Sequence, residues 1–150
     1  MIPVDLTGKL ALVTGAARGL GAAIAELLER AGARVARLDV AAGERVIACD
    51  VTDESALARV FAEVSGGRGL DIVVANAGIV PPWRETEALD LDLLSRTLAI
   101  NVVGVAATLK HAVPHMRGRG GSIVATGSIM GYRAHARQHA YVASKHAVHG

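Results

Sequence analysis

Residues 9–28 constrain this chain more than any other stretch. Leu10, Ala11, Leu12 and Val13 form an apolar run that ends in Thr14 and reads as a buried strand. Gly15, Gly19 and Gly21 follow closely, in the pattern Gly-x-x-x-Gly-x-Gly. Leu20, Ile24, Leu27 and Leu28 then recur at helical spacing, and Gly32 stands where a helix C-cap would. Strand, glycine turn and helix together make a phosphate-cradling unit. Gly15 can turn the chain sharply out of the strand. Gly19 and Gly21 leave room for a pyrophosphate to approach the backbone and for the helix to lie close to the sheet. The first N–H groups of the helix and its dipole then face the anion.

Arg34 to Leu38 reads as a second strand, with Asp39 at its end. Asp39 lies 18 positions beyond Gly21, close to the roughly 20 expected for an acid that binds an adenosine ribose. A carboxylate there accepts hydrogen bonds from two ribose hydroxyls and repels a 2′-phosphate.

The rest of the chain repeats the alternation. Residues 45–49 form a short third strand, and Thr52 or Asp53 is placed to cap a helix whose apolar positions are Leu57, Val60, Phe61 and Val64. Residues 70–75 are a fourth strand, residues 88–116 a long helix, residues 122–126 a fifth strand, and a last helix begins near His139. Strands separated by helices mean right-handed crossovers and a parallel sheet. The strand order should reverse beside the first strand and leave a crevice at the carboxyl ends. Gly15, Asp39, Asp50, Asn76 and Ser128 all fall at those ends. The expected fold is therefore α/β, a Rossmann-type doubly wound parallel sheet, with residues 1–150 forming a single dinucleotide-binding domain.

Composition narrows the function. A net charge of +2 without a basic stripe argues against a nucleic-acid partner. The single cysteine, Cys49, leaves no internal disulfide and no Cys-based metal site. The six histidines, 111, 115, 135, 139, 146 and 149, have no clustered acid or Cys beside them, so no metal is expected. The N-terminal residues lack the features of a signal peptide. The most apolar stretch, residues 98–109, is too short to span a bilayer. These features lead us to expect a soluble cytoplasmic protein with no membrane partner.

Tyr141 and Lys145 lie four apart and would share one helix face. Tyrosine is a poor base at neutral pH. An ammonium one turn away favours the phenolate and makes the pair a usable acid–base. Ser128 stands 13 positions before Tyr141, at a strand end. A Ser–Tyr donor pair can stabilise the oxyanion character that develops when a carbonyl is reduced.

This combination resembles the classical short-chain dehydrogenase/reductase family of the NAD-preferring type. The resemblance runs through the whole chain: Thr14-Gly15-Ala16-Ala17-Arg18-Gly19-Leu20-Gly21, Asp39, Asp50-Val51, Asn76-Ala77-Gly78, Asn101-Val102-Val103-Gly104, Ser128 and Tyr141-Val142-Ala143-Ser144-Lys145. It implies an oxidoreductase that moves a hydride between nicotinamide and a secondary alcohol or ketone. Tyr141 would be the general acid–base, Ser128 would orient the substrate oxygen, and Lys145 would support Tyr141 and bind the nicotinamide ribose. Asn101 would kink the long helix and hold a water of the proton relay. Gly15, Arg18, Gly19, Leu20, Gly21, Asp39, Asp50, Val51, Asn76, Ala77 and Gly78 would join Tyr141 and Lys145 in holding the cofactor. Arg18 resembles a feature of NADP-preferring members, whereas Asp39 points to NAD. Asp39 would meet the 2′-phosphate directly, so NAD is expected ahead of NADP. Trp83, Met130 and Tyr132 are candidate walls of a substrate site.

Family members usually continue beyond the point reached here, through two more strands and a substrate-covering loop. The chain ends at Gly150, five residues after Lys145, so the C-terminal part of the usual fold is expected to be absent. The resemblance also implies a homo-oligomer, a dimer or tetramer. It would pair through residues 88–116 and the Tyr141 helix, with Val105, Leu109, Val142 and Val148 contributing. Two other readings stay open: a fragment that binds cofactor but is catalytically impaired, and an isomerase or dehydratase using the same site.

Overall fold

The computed structural model describes residues 4–150. Residues 1–3, which carry part of the reading on signal peptides, lie outside the described residues. Five strands, β1 (Leu10–Thr14), β2 (Arg34–Asp39), β3 (Ile47–Ala48), β4 (Ile72–Ala75) and β5 (Ser122–Ala125), pair in the order β3-β2-β1-β4-β5. Every pairing is parallel. The chain reaches β3 by moving outward from β1 on one side, then crosses over β1 to β4. The reversal expected from the sequence therefore falls between β1 and β4.

Successive residues of β1 feed opposite faces of the sheet. Leu12 joins Leu38, Leu57, Phe61 and Met116 in one cluster. Val13 joins Ala16, Ala25 and Val74 in the other. Both faces are thus covered at the central strands, as a parallel sheet requires, whereas the edge strand β5 is exposed along its length. Burying Phe61 completely contributes about 2–3 kcal/mol relative to leaving it in water.

Helix α1 (Gly19–Arg30) departs from the face that its leucines suggest. Its buried positions are Gly21 and Ala25, with Ile24 and Leu28 packed beside them. Leu20 and Leu27 are 60% and 62% exposed. Small residues let the helix sit low on the sheet, which turns the larger side chains outward. Helix α2 (Glu54–Ser65) follows the sequence reading: Asp53 caps it by accepting the Ala56 N–H, and Gly66 ends it in the left-handed conformation. The third strand is shorter than residues 45–49. Arg45 turns away from the sheet and pairs with Glu29 at 2.9 Å.

The long helix proves to be composite. A 3₁₀ turn (Thr86–Ala88) precedes α3 (Leu91–Leu98), which Asp90 caps through the Leu93 N–H. A π-helical turn (Ala99–Val103) then leads directly into α4 (Gly104–Met116). The continuous run Leu91–Met116 has 26 residues and, by length and composition alone, could cross a membrane. Here Ala107, Ala112 and Met116 are buried, and all three join the cluster around Phe61. Val103 and Val113 are exposed. The last helix is α5 (His139–His149).

Candidate active site

A cleft of about 480 Å³ opens at the carboxyl ends of the strands. Its floor is the glycine turn after β1. Gly19 has φ +58, and the space where its Cβ would point is empty. A Cβ on Gly21 would run into the Gly15 carbonyl and lie 2.6 Å from Asn76 Nδ2. Gly19 therefore meets a conformational demand on the open side, and Gly21 a packing demand on the buried side. Asp residues cap α2 and α3. Helix α1 has no side-chain cap and no acid in its first turn. Its N-terminus stays electropositive beside the cleft, where Gly15, Arg18, Leu20 and Gly21 line the wall.

Asp39 closes the outer end. Its Oδ2 accepts the Ala17 N–H at 3.0 Å and its Oδ1 the Ala41 N–H at 3.1 Å. Asp50 and Val51 stand next to it in the wall. The Asp50 carboxylate accepts both the N–H and the hydroxyl of Thr52, at 2.9 and 2.8 Å.

A chain of hydrogen bonds crosses the strand ends. Thr14 Oγ1 accepts the Asn76 and Ala77 N–H groups at 3.0 and 3.1 Å. Asn76 Nδ2 donates to the Thr14 and Gly15 carbonyls at 3.1 and 3.3 Å. Thr126 Oγ1 donates to Asn76 Oδ1 at 3.2 Å, and Lys145 Nζ donates to the Thr126 carbonyl at 2.7 Å. The ends of β1, β4 and β5 and the helix α5 are thus tied together under the cleft. Asn76, Ala77 and Gly78 all line it.

Tyr141 and Lys145 share one face of α5 and both line the cleft. The Lys145 ammonium lies 5.8 Å from the Tyr141 ring centroid. Lys145 is buried, and burial pushes its ammonium below its ordinary value. Asn101 is fully buried behind the wall, in the π-helical turn that stands where a kink was expected. It clasps Ile79, accepting its N–H at 2.8 Å and donating to its carbonyl at 2.9 Å. Ser128 is not part of the cleft wall. Its Oγ accepts the Met130 N–H at 3.1 Å and caps the short turn Ile129–Gly131.

The cleft also contains residues that sequence patterns did not single out. Val40 and Cys49 come from the ends of β2 and β3, Ile79 and Val80 from the loop after β4, and Arg96 and Ile100 from the long helix. Thr126 could have been found from its place at a strand end. Arg96 carries no local signal, because only the approach of α3 to the loop after β4 brings it there. The histidines are dispersed in packing roles. His111 and His115 lie against Phe61, His135 against Trp83, and His149 against Tyr132.

The loops after β4 and β5 meet at the rim. Trp83 is flanked by the His135 ring at 4.6 Å and the Arg137 guanidinium at 5.7 Å. Among the described residues, Arg137 is the only one besides glycines with a positive φ, +67. Its carbonyl accepts the Arg84 N–H at 3.0 Å.

Residues 9–150 match the family model for short chain dehydrogenases. The chain belongs to the short-chain dehydrogenase family. Short-chain dehydrogenase reductase 5 of Arabidopsis thaliana is 37% identical over 97% of this chain and 62% of its own length. The solved structure of carveol dehydrogenase from Mycobacterium avium, in complex with NAD, superposes with a TM-score of 0.87 at 32% identity, covering 96% of this chain and 63% of that one. A proposed NAD(P)-dependent gluconate 5-dehydrogenase from Beutenbergia cavernae, holding NADP at low occupancy, gives 0.86 at 30% identity over 97% of this chain and 64% of that one. The chain thus spans somewhat less than two thirds of these short-chain dehydrogenases. The cleft suits a dinucleotide: an uncapped helix N-terminus faces the space above Gly19, and a braced carboxylate stands at the far end.

Proposed function

We propose that this chain forms the cofactor-binding and catalytic part of an NAD-dependent oxidoreductase acting on a secondary alcohol or ketone. The observation that carries the reading is that Tyr141 and Lys145 line the same cleft as the uncapped N-terminus of α1. When bound, the nicotinamide gives a hydride to the carbonyl carbon or takes one from the carbinol carbon. The α1 N-terminus and the turn at Gly19 hold the pyrophosphate, and Arg18 adds a positive charge there. Asp39 receives the adenosine ribose hydroxyls, with Asp50 and Val51 beside the adenine. Asn76, Ala77 and Gly78 line the middle of the cleft.

At the other end, the Tyr141 hydroxyl gives a proton to the substrate oxygen during reduction and takes it back during oxidation. The Lys145 ammonium stabilises the phenolate left behind and reaches the nicotinamide ribose. Ser128 accepts the Met130 N–H through its oxygen, so its own hydroxyl proton is left to donate to the same substrate oxygen. Asn101 holds the loop at Ile79, and with both its Nδ2 hydrogens engaged the second lone pair of its Oδ1 is left to take a water that refills the proton. Substrates are small molecules that fit between Tyr141 and the rim at Trp83, Met130 and Tyr132.

The test is cofactor turnover with a panel of secondary alcohols and their ketones, using the intact protein. Tyr141→Phe keeps the ring and removes the hydroxyl. It should lower turnover by about 10²–10⁴-fold while calorimetry finds cofactor affinity nearly unchanged. Substantial turnover by the Phe variant would remove Tyr141 from the acid–base role. Product formation without net change in cofactor redox state would point to an isomerase or dehydratase.

A further inference from the structure

Ser144 lies between Tyr141 and Lys145 on α5, is fully buried, and is no part of the cleft wall. Its Oγ–H donates to the Tyr141 carbonyl at 2.8 Å. The same oxygen accepts a hydrogen from Asn101 Nδ2 at 3.0 Å. A hydroxyl has one proton, and this one goes to Tyr141, so Ser144 meets Asn101 as an acceptor. The other Nδ2 hydrogen and Oδ1 of Asn101 are both engaged by Ile79. The Asn101 amide therefore has one orientation and is fixed from both sides.

We infer that Ser144 is a positioning residue, which sets the register of α5 against the π-helical turn and so the place of the Tyr141 hydroxyl in the cleft. This rests on the oxidoreductase reading of the site. Besides the packing of α3 and of the Ile129–Gly131 turn on α5, two hydrogen bonds tie α5 to the strand ends and the π-helical turn. The first, from Lys145 to the Thr126 carbonyl, runs through a flexible four-carbon stem that tolerates sliding of the helix. The second, from Ser144 to Asn101, runs through short side chains whose rotamers are held by packing. Of the two hydrogen bonds, the second defines the register more closely. Catalysis depends on such placement, because a displacement of about 1 Å in a reacting group costs on the order of 10²-fold in rate.

Ser65 provides the control. It is buried in α2, away from the cleft, and its Oγ donates to the Ala62 carbonyl at 3.1 Å, the same bond to the residue three back. The intact protein, Ser144→Ala and Ser65→Ala are compared by amide hydrogen exchange and by steady-state kinetics. In Ser144→Ala, exchange over residues 141–146 should rise about tenfold. Its kcat should fall about 10–100-fold, with the cofactor KM unchanged. Ser65→Ala should do neither. Ser144→Cys, which is slightly larger than serine and weakens both hydrogen bonds, should fall between and serves if Ser144→Ala does not fold. Unchanged exchange at α5, unchanged kcat, or an equal loss in Ser65→Ala would each overturn the inference. If the unmodified protein transfers no hydride, the oxidoreductase reading fails on its own, and exchange at α5 still decides whether Ser144 sets the register.

Discussion

The carboxylate of Asp39 accepts the backbone N–H of Ala17 at 3.0 Å, so the acid at the end of β2 is held by the glycine turn itself. Its position in the cleft is fixed before any ligand arrives. Arg18 follows Ala17 directly and lines the same cleft, but as a long side chain it has no such brace. A 2′-phosphate on the adenosine ribose would face a fixed negative charge and a movable positive one. We expect the fixed charge to decide.

NAD(H) should accordingly bind at least about tenfold more tightly than NADP(H), a difference of about 1.4 kcal/mol. Asp39→Asn keeps the shape and removes the charge, and should narrow that ratio. Calorimetry with both cofactors checks it. Equal affinities in the unmodified protein would mean that Arg18 outweighs Asp39.

The strained residue at the rim offers a second test. A non-glycine residue in the left-handed region costs of order 1 kcal/mol. Arg137→Gly relieves that strain. It also removes the guanidinium contacts to Trp83 and to Glu85, the latter 3.6 Å away, and adds freedom to the unfolded chain. These effects nearly cancel, so the unfolding free energy should stay within about 1 kcal/mol of the parent. Arg137→Ala keeps the strain and loses the contacts, and should be the less stable of the two. Trp83 is the one tryptophan in the sequence, so its emission should shift in both variants. An Arg137→Gly protein less stable than Arg137→Ala would show that the left-handed backbone is not a cost here.

Lys145 makes stability depend on pH in a direction that can be worked out. Burial lowers its pKa in the folded state from the ordinary 10.5. Between the lowered value and 10.5 the unfolded chain binds more protons, so stability rises with pH across that window. Below it the penalty is fully present; above 10.5 it is gone. Lys145→Met should lack this contribution. Urea midpoints for both proteins from about pH 7 to about pH 10 should show the parent gaining on the variant as pH rises. A parent that stays level with the variant or loses ground to it as pH rises would contradict the assignment.

Much of the site was legible because its parts are local. A strand, a glycine turn and a helix can be read from consecutive residues, and the strand-end positions of Asp39, Asp50 and Asn76 follow from the alternation of elements. Features set by tertiary approach were not legible. Arg96 reaches the cleft because α3 lies beside the loop after β4. The outward turn of Leu20 and Leu27 follows from how closely Gly21 and Ala25 let α1 approach. The family resemblance implied a kink at Asn101; a π-helical turn stands there, and an extra residue in a helical turn leaves no mark in hydrophobic spacing. Ser128 was recognised by position, yet in this structure its hydroxyl serves the turn after it.

That π-helical turn also changes the phase of the long helix. A straight α-helix advances about 100° per residue, and one extra residue in a turn shifts everything beyond it around the axis. The segment before the turn, α3, packs on α5, while the segment after it, α4, packs on α2. One rod thereby addresses two neighbours lying in different directions without a break in its backbone. Shortening the turn by one residue would restore a regular helix, but only one of the two neighbours could keep its contact. The irregularity at Asn101 is the joint that lets the end packed on α5 and the end packed on α2 be oriented independently.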